Sequence, residues 1–183
     1  GKLDKALQAM VYGDDEASKA AWRCTADTLI YAAKRIPEIA DDVVNVDRAM
    51  RWGFGWEMGP FESWDAIGVR KSVEKMQAEG REVPGWVLEM LASGRESFYA
   101  RTSEGTPTFS ERSGAVSDVP FPAGQLFISD AKAARGEVKR NGSASLVDLG
   151  DNILCLELHS PAYMNALDGD IIGLYNEALD ALD

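Results

Sequence analysis

Val46-Asp47-Arg48-Ala49-Met50-Arg51-Trp52-Gly53-Phe54-Gly55-Trp56-Glu57-Met58-Gly59-Pro60-Phe61-Glu62-Ser63-Trp64-Asp65-Ala66-Ile67-Gly68 is the stretch on which the fold turns. Asn45 just before it suits the N-cap of a helix over residues 46–52, since its short side chain can accept from a first-turn amide. Gly53 then suits the position just past that helix. Gly53 and Gly55 permit a sharp change of direction. Gly59-Pro60 opens the next helix, because the first turn of a helix tolerates a missing N–H. Phe61, Trp64 and Ile67 fall on one side of it as an apolar face, and Gly68 interrupts it.

The pattern continues in both directions. Upstream, Asp14, Asp15 and Glu16 precede a helix over residues 17–35, where acids favour the helix dipole. Trp22, Ala26, Leu29, Ile30 and Ala33 form its apolar face. Pro37 ends it and sits in the first turn of a short helix over 37–41. Downstream, helices are expected over 69–79, ending at Gly80, and over 84–92, ending at Gly94. Proline at the start and glycine at the end is helix punctuation.

After Gly94 the character changes. Residues 97–101 and 106–111 suit a small hairpin across Ser103-Glu104-Gly105. Residues 113–124 are rich in Gly, Pro and Ser. Lys132, Arg135, Lys139 and Arg140 form one basic cluster. Residues 145–149 and 153–159 flank Gly150-Asp151-Asn152 as a second hairpin, which Pro161 closes. Leu167, Ile171, Tyr175 and Leu179 mark a helix to the end of the chain. The expected fold is mainly α: a compact multi-helix domain with a small antiparallel hairpin region and a C-terminal β-β-α appendage. The expected domains are a helical one over 1–112, a linker over 113–143, and an appendage over 144–183 too short to bury both its faces.

The net charge is −11 over 183 residues, with 45% hydrophobic and 27% charged residues. That is the balance of a soluble globular chain, and its sign disfavours nucleic acid and anionic membranes as partners. Cys24 and Cys155 have no metal or redox spacing, and a reducing cytoplasmic setting is expected. No apolar run reaches spanning length, and the N-terminus lacks a signal peptide. A start at Gly1, without Met, reads as the start of an excised piece.

Candidate chemical residues each have a plainer structural reading. Gly53 to Pro60 resembles a phosphate loop only superficially, since its glycine spacing is not that of a dinucleotide fingerprint and no strand precedes it. Glu57, Glu62 and Asp65 lie near aromatic residues, where a carboxylate pKa can rise, but pairing with Arg48, Arg51 or Arg70 or helix capping is the simpler role. His159, the single histidine, falls at the end of a strand. Asp168 and Asp170 suit the start of the last helix. Cys155 reads as a buried, inert thiol, and the basic cluster as a solvated linker rather than a contact for a CoA phosphate. No catalytic, cofactor-binding or metal-ligating residue is expected in this chain.

Residues 46–68 closely resemble the 3-hydroxyacyl-CoA dehydrogenase C-terminal domain. In that family an Asp-x-Ala-Met helix leads to Gly-x-Gly, then Gly-Pro-Phe, then a helix with Asp and a closing Gly. The upstream helix and Pro37-Glu38-Ile39-Ala40 are similar too, so the resemblance covers about 14–94. One departure stands out: the family's early Asn-Arg motif, which helps position substrate, is replaced here by Ala21-Trp22-Arg23-Cys24. Residues 153–179 resemble the start of an enoyl-CoA hydratase (crotonase) domain, with His159-Ser160-Pro161 in place of Asn-Arg-Pro and Asn165-Ala166-Leu167 as Asn-Ala-Leu.

The resemblance implies a fused fatty-acid β-oxidation protein. Such a parent is an oxidoreductase that oxidises 3-hydroxyacyl-CoA with NAD and hydrates enoyl-CoA. The Rossmann domain that holds NAD and the catalytic pair would lie outside this chain, as would the crotonase oxyanion hole. The implied partners are the Rossmann domain, a full crotonase domain, the parent's acyl-CoA substrate and a second copy in a homodimer. The chain itself would be inactive, a packing unit that binds no cofactor. The rival expectation is a stand-alone helical interaction module. A third, acyl-CoA binding by this chain alone, is disfavoured by its acidic charge and the missing Asn. Whether Phe54, Trp56 and Trp64 bury their rings inside the domain or offer them to a partner is left open by the sequence.

Overall fold

A computed structural model describes residues 2–103, 105–160 and 166–180. The chain divides into two compact units: residues 1–102 with 107–119, and residues 103–106 with 120–183.

The first unit is helical. It contains α1 (Lys2–Tyr12), α2 (Glu16–Lys34), α3 (Val43–Phe54), α4 (Pro60–Ile67), α5 (Val69–Ala78) and α6 (Gly85–Ala92). A three-stranded antiparallel sheet follows: β1 (Tyr99–Arg101), β2 (Pro107–Ser110) and β3 (Val116–Asp118). Its core holds Trp22, Ala26, Leu29 and Ala33 of α2, as their spacing predicts. Phe61, Trp64 and Ile67 of α4 are buried beside them. Phe98 sits among three large rings, 4.9 Å from Phe61, 5.2 Å from Trp64 and 5.7 Å from Trp86, centroid to centroid. The Trp64 indole N–H donates to Ser72 Oγ at 2.7 Å, so the largest buried ring leaves no orphaned donor.

The expected mainly α fold is found, and several local expectations need correction. Residues 37–41 form turns rather than a helix. The N-cap of α3 is Asp42, whose carboxylate accepts from Asn45 N–H at 2.8 Å, so α3 starts three residues earlier than Asn45 suggests. Gly53 lies inside α3. The left-handed C-terminal position is Gly55 (φ 69°), whose N–H reaches the carbonyls of Arg51 and Met50. Helix α1 has no counterpart in the sequence reading; it packs on α2 and α4, with Val11 buried.

The second unit contains α7 (Ile128–Arg135), β4 (Lys139–Arg140), β5 (Ala144–Gly150), β6 (Ile153–Leu158) and α8 (Gly169–Asp180). The strands form one antiparallel sheet in the order β4-β5-β6. Asp151 and Asn152 take positive φ (52° and 60°), which the tight β5–β6 turn requires. The stretch 113–143, expected as a linker, carries β3, α7 and β4. Ile171 and Leu174 of α8 bury against Ala144 and Leu146, while Leu167, Tyr175 and Leu179 are exposed. The inward face is therefore 171, 174 and 178, rather than the 167-171-175-179 stripe. Pro161 and Asn165 lie outside the described residues.

Candidate functional site

The turn between α3 and α4 gathers the charged and aromatic residues of residues 46–68. Asp47 lies on the inner face of α3 with Val43 and Val44, and is 2% exposed. Phe61 N–H donates to its Oδ1 at 2.8 Å, and Glu62 N–H to its Oδ2 at 3.0 Å. The Tyr99 hydroxyl donates to Oδ2 as well, at 2.8 Å. Asp47 thus caps the first turn of α4 from a different helix, because Gly59 at the N-cap has no side chain to do so. Glu62 completes the cap by accepting from Gly59 N–H at 2.8 Å and pairs with Arg51 at 2.9 Å.

Gly59 is glycine for a steric reason. A Cβ there would stand 2.4 Å from the Cα, Cβ and Cγ of Asp47, and the Asp47 backbone cannot retreat without moving α3. Gly59→Ala is expected to destabilise the helical unit by about 2 kcal/mol, the scale of overpacking a close contact. A lowered midpoint in urea, read by tryptophan fluorescence, checks it.

Asp65 performs the same task for the sheet. Its two oxygens accept from Phe98 N–H at 2.7 Å and Tyr99 N–H at 2.9 Å, fastening the start of β1 to α4. Burial pushes both Asp47 and Asp65 up to about 7, with the Glu62 charge adding to it and the donated hydrogen bonds opposing it. The Tyr99 hydroxyl is raised too, first by burial and then by the Asp47 charge. A raised carboxyl here is no general acid: the oxygens of both groups are engaged by protein donors.

The outward side of the same turn differs. Trp52 is 68% exposed, Phe54 75% and Trp56 43%, three aromatic rings within five residues. The Arg48 guanidinium lies over the Trp52 ring, 5.4 Å from its centroid. Trp64, by contrast, is wholly internal.

The other residues weighed from sequence are dispersed. Glu57 is exposed. Arg70 pairs with Glu96 rather than with Asp65. Trp22, where the family's Asn-Arg motif would fall, is buried and donates its indole N–H to Glu79 at 2.8 and 2.9 Å. In the second unit three of the four residues of the basic cluster pair with acids: Lys132 with Glu137 and Glu157, Arg140 with Glu137, and Lys139 with Glu177. Asp168 caps α8 through Ile171 N–H at 2.9 Å and accepts from Ser143 Oγ at 2.5 Å. Asp170 lends its carbonyl to Asn141. The His159 N–H pairs with the Ser143 carbonyl. Cys155 is half-buried rather than buried, and Cys24 is exposed.

Sequence reasoning weighed Asp65 but passed over Asp47 and Tyr99. The signal for Asp47 was its place on the Val43-Val44 face of α3, where a charge needs several donors.

Against this geometry the comparisons are specific. Residues 20–97 match the family described as 3-hydroxyacyl-CoA dehydrogenase, C-terminal domain, a span from α2 to the residue before Phe98. Over those residues the chain is similar to that domain family. The matched span contains Asp47, Gly59, Asp65 and the aromatic turn. A Bacillus subtilis protein named as a probable 3-hydroxyacyl-CoA dehydrogenase is 42% identical over 174 residues, or 95% of this chain. The chain spans 22% of that relative's length. No solved structure matches.

The turn between α3 and α4 does not fit the pyrophosphate of NAD by its own residues. It joins two helices, and the amides that could cradle a pyrophosphate are taken: Gly55 by Arg51, Gly59 by Glu62, Phe61 and Glu62 by Asp47. Pro60 has no N–H to offer. Among the described residues no group of three or more His, Cys, Asp and Glu is placed to hold a metal ion, and no helix is long and apolar enough to cross a membrane.

Proposed function

We propose that this chain is the helical, non-catalytic part of a longer fatty-acid β-oxidation protein that oxidises 3-hydroxyacyl-CoA with NAD. Its residues 144–183 open an enoyl-CoA hydratase-type domain, which gives the parent a second activity. The observation that carries this reading is the division of labour within residues 46–68. Asp47 and Asp65 face inward and accept from protein donors, while the Trp52, Phe54 and Trp56 rings remain exposed on the outer side. Exposed aromatic clusters mark contact surfaces. The partners are the NAD-holding Rossmann domain and the hydratase domain of the same polypeptide, with a second copy as a further contact. The length of the Bacillus subtilis relative, of which this chain matches 22%, supports such a setting. The reading includes a cytoplasmic setting for the parent, as the two cysteines without disulfide or metal spacing suggest.

The test is an NAD-linked 3-hydroxyacyl-CoA oxidation assay on this chain and on the full-length protein that contains it. The full-length protein is expected to turn over and the chain to be inert. Turnover by the chain alone would overturn its non-catalytic role. If neither turns over, the domain is an interaction module.

A further inference from the structure

The end of α3 carries a glycine that its own chain does not account for. Gly53 lies in the last turn of the helix, where glycine is disfavoured against any residue with a side chain except proline. Its φ is not positive, so the backbone does not call for glycine. A Cβ there would meet no atom within 4 Å, so crowding does not call for it either. Ala49, one helical turn earlier on the same face, is exposed as Gly53 is. The two positions leave bare helix backbone at the surface, which lets a second backbone approach closely. Trp52 and Phe54 stand on either side of Gly53 in the chain and Trp56 follows, all with exposed rings. Aromatic and arginine side chains are the ones that carry contacts between proteins.

The charges around Gly53 indicate what meets it. Residues 48–61 contain Arg48, Arg51 and Glu57 as their only charged side chains, two cations less one anion, or +1, within a chain of −11. Arg51 is paired with Glu62 at 2.9 Å. Arg48 lies over the Trp52 ring before Gly53, and Glu57 is exposed after it. A two-fold axis at Gly53 sets the Arg48 side of one copy against the Glu57 side of the other, twice over. Opposite charges then meet on a surface where two acidic chains bring no like charges together.

We propose that this surface is a self-association site, at which α3 of one copy crosses α3 of a second copy at Gly53. The rings of each copy pack over the bare Ala49–Gly53 stripe of the other, and Arg48 pairs with Glu57 across the axis. The assignment rests on the reading of the three rings as a contact surface, and it names the second copy as the partner that meets them. At their exposures the three rings offer roughly 400 Å² per copy, against about 800 Å² in an ordinary stable interface. The dimer is therefore weak, with a dissociation constant on the order of 100 µM.

Sedimentation equilibrium of the intact chain from about 10 µM to about 1 mM tests this. The average mass is expected to rise from 19.9 kDa toward twice that value. Gly53→Gln fills open space in the single copy and favours the helix, so the unfolding midpoint of the dilute protein should not fall, while association weakens at least tenfold. Phe54→Ser should weaken it as much. Arg48→Glu and Glu57→Arg should each weaken association alone, and an equimolar mixture of these two variants should restore it. A mass that stays at 19.9 kDa, association untouched by Gly53→Gln and Phe54→Ser, or a mixture no stronger than its parts would each overturn the proposal. None of these readings depends on turnover. An active full-length protein with a monomeric chain would overturn this assignment alone, and a dimer from an inactive parent would support it while the dehydrogenase reading fails.

Discussion

Asp47→Ala is expected to cost the helical unit about 4 kcal/mol, the range for stripping one partner from a buried charged network. The change removes an acceptor from Phe61 N–H, Glu62 N–H and the Tyr99 hydroxyl together. None of the three gains water in exchange, because the site is 2% exposed. It also leaves the first turn of α4 without the cap that Gly59 cannot supply. Asp47→Asn should cost less than half as much. Its amide oxygen still serves Phe61, and the Tyr99 hydroxyl can turn to accept, so only Glu62 N–H is left without its partner. Urea unfolding of the three proteins, followed by tryptophan emission, checks the order. All five tryptophans lie in the first unit, so the signal reports on it alone. An Asp47→Ala protein as stable as its parent would mean that the carboxylate does not hold the α3–α4 turn.

The second large effect is on pH. Asp47 and Asp65 have folded pKa values of about 7, above the ordinary carboxylate value of 3.8. Between those values the folded chain holds protons that the unfolded chain has released. Stability from these groups is full below about pH 4 and is lost as pH rises through 7. Each carboxyl can contribute at most about 4 kcal/mol to that loss. The first unit should therefore be more stable at pH 5 than at pH 8, opposite to the usual acid weakening of carboxylate-rich proteins. Asp15 and Glu111 act in the other direction and in another window. Hydrogen bonds from Ser18 hold Asp15 low, and those from Ser117 and Ser113 hold Glu111 low, so their stability is lost only under more acid conditions. Asp65→Asn, alone and with Asp47→Asn, should progressively flatten the fall between pH 5 and 8. An unfolding midpoint that rises over that interval in the parent chain would refute the assignment.

The two variants also show where sequence reading succeeds and where it stops. The helices α2, α4, α5 and α6 are legible because period, proline and glycine agree along a few neighbouring residues. The two hairpins are legible because their turn residues have few other uses. Asp47 is different. Its meaning depends on Tyr99, fifty-two residues away, and on a glycine that cannot cap its own helix. No local pattern contains either fact. The start of α3 was misplaced because Asp42 and Asn45 are both good caps, and the carboxylate, not the amide, takes the role. In α8, Leu167, Tyr175 and Leu179 imitate a buried stripe. Packing against Ala144 and Leu146 instead selects Ile171 and Leu174, which only the fold of the sheet could decide.

Held from within by Asp47, Gly59 and Glu62, the turn that carries Trp52, Phe54 and Trp56 has its backbone specified by residues other than the three rings it displays. That separation matters over evolutionary time. A lineage can exchange the displayed rings with little loss of fold, whereas Asp47 and Gly59 allow almost no drift. Among descendants, the inward residues should record common ancestry, and the outward ones should record which surface each lineage has had to meet.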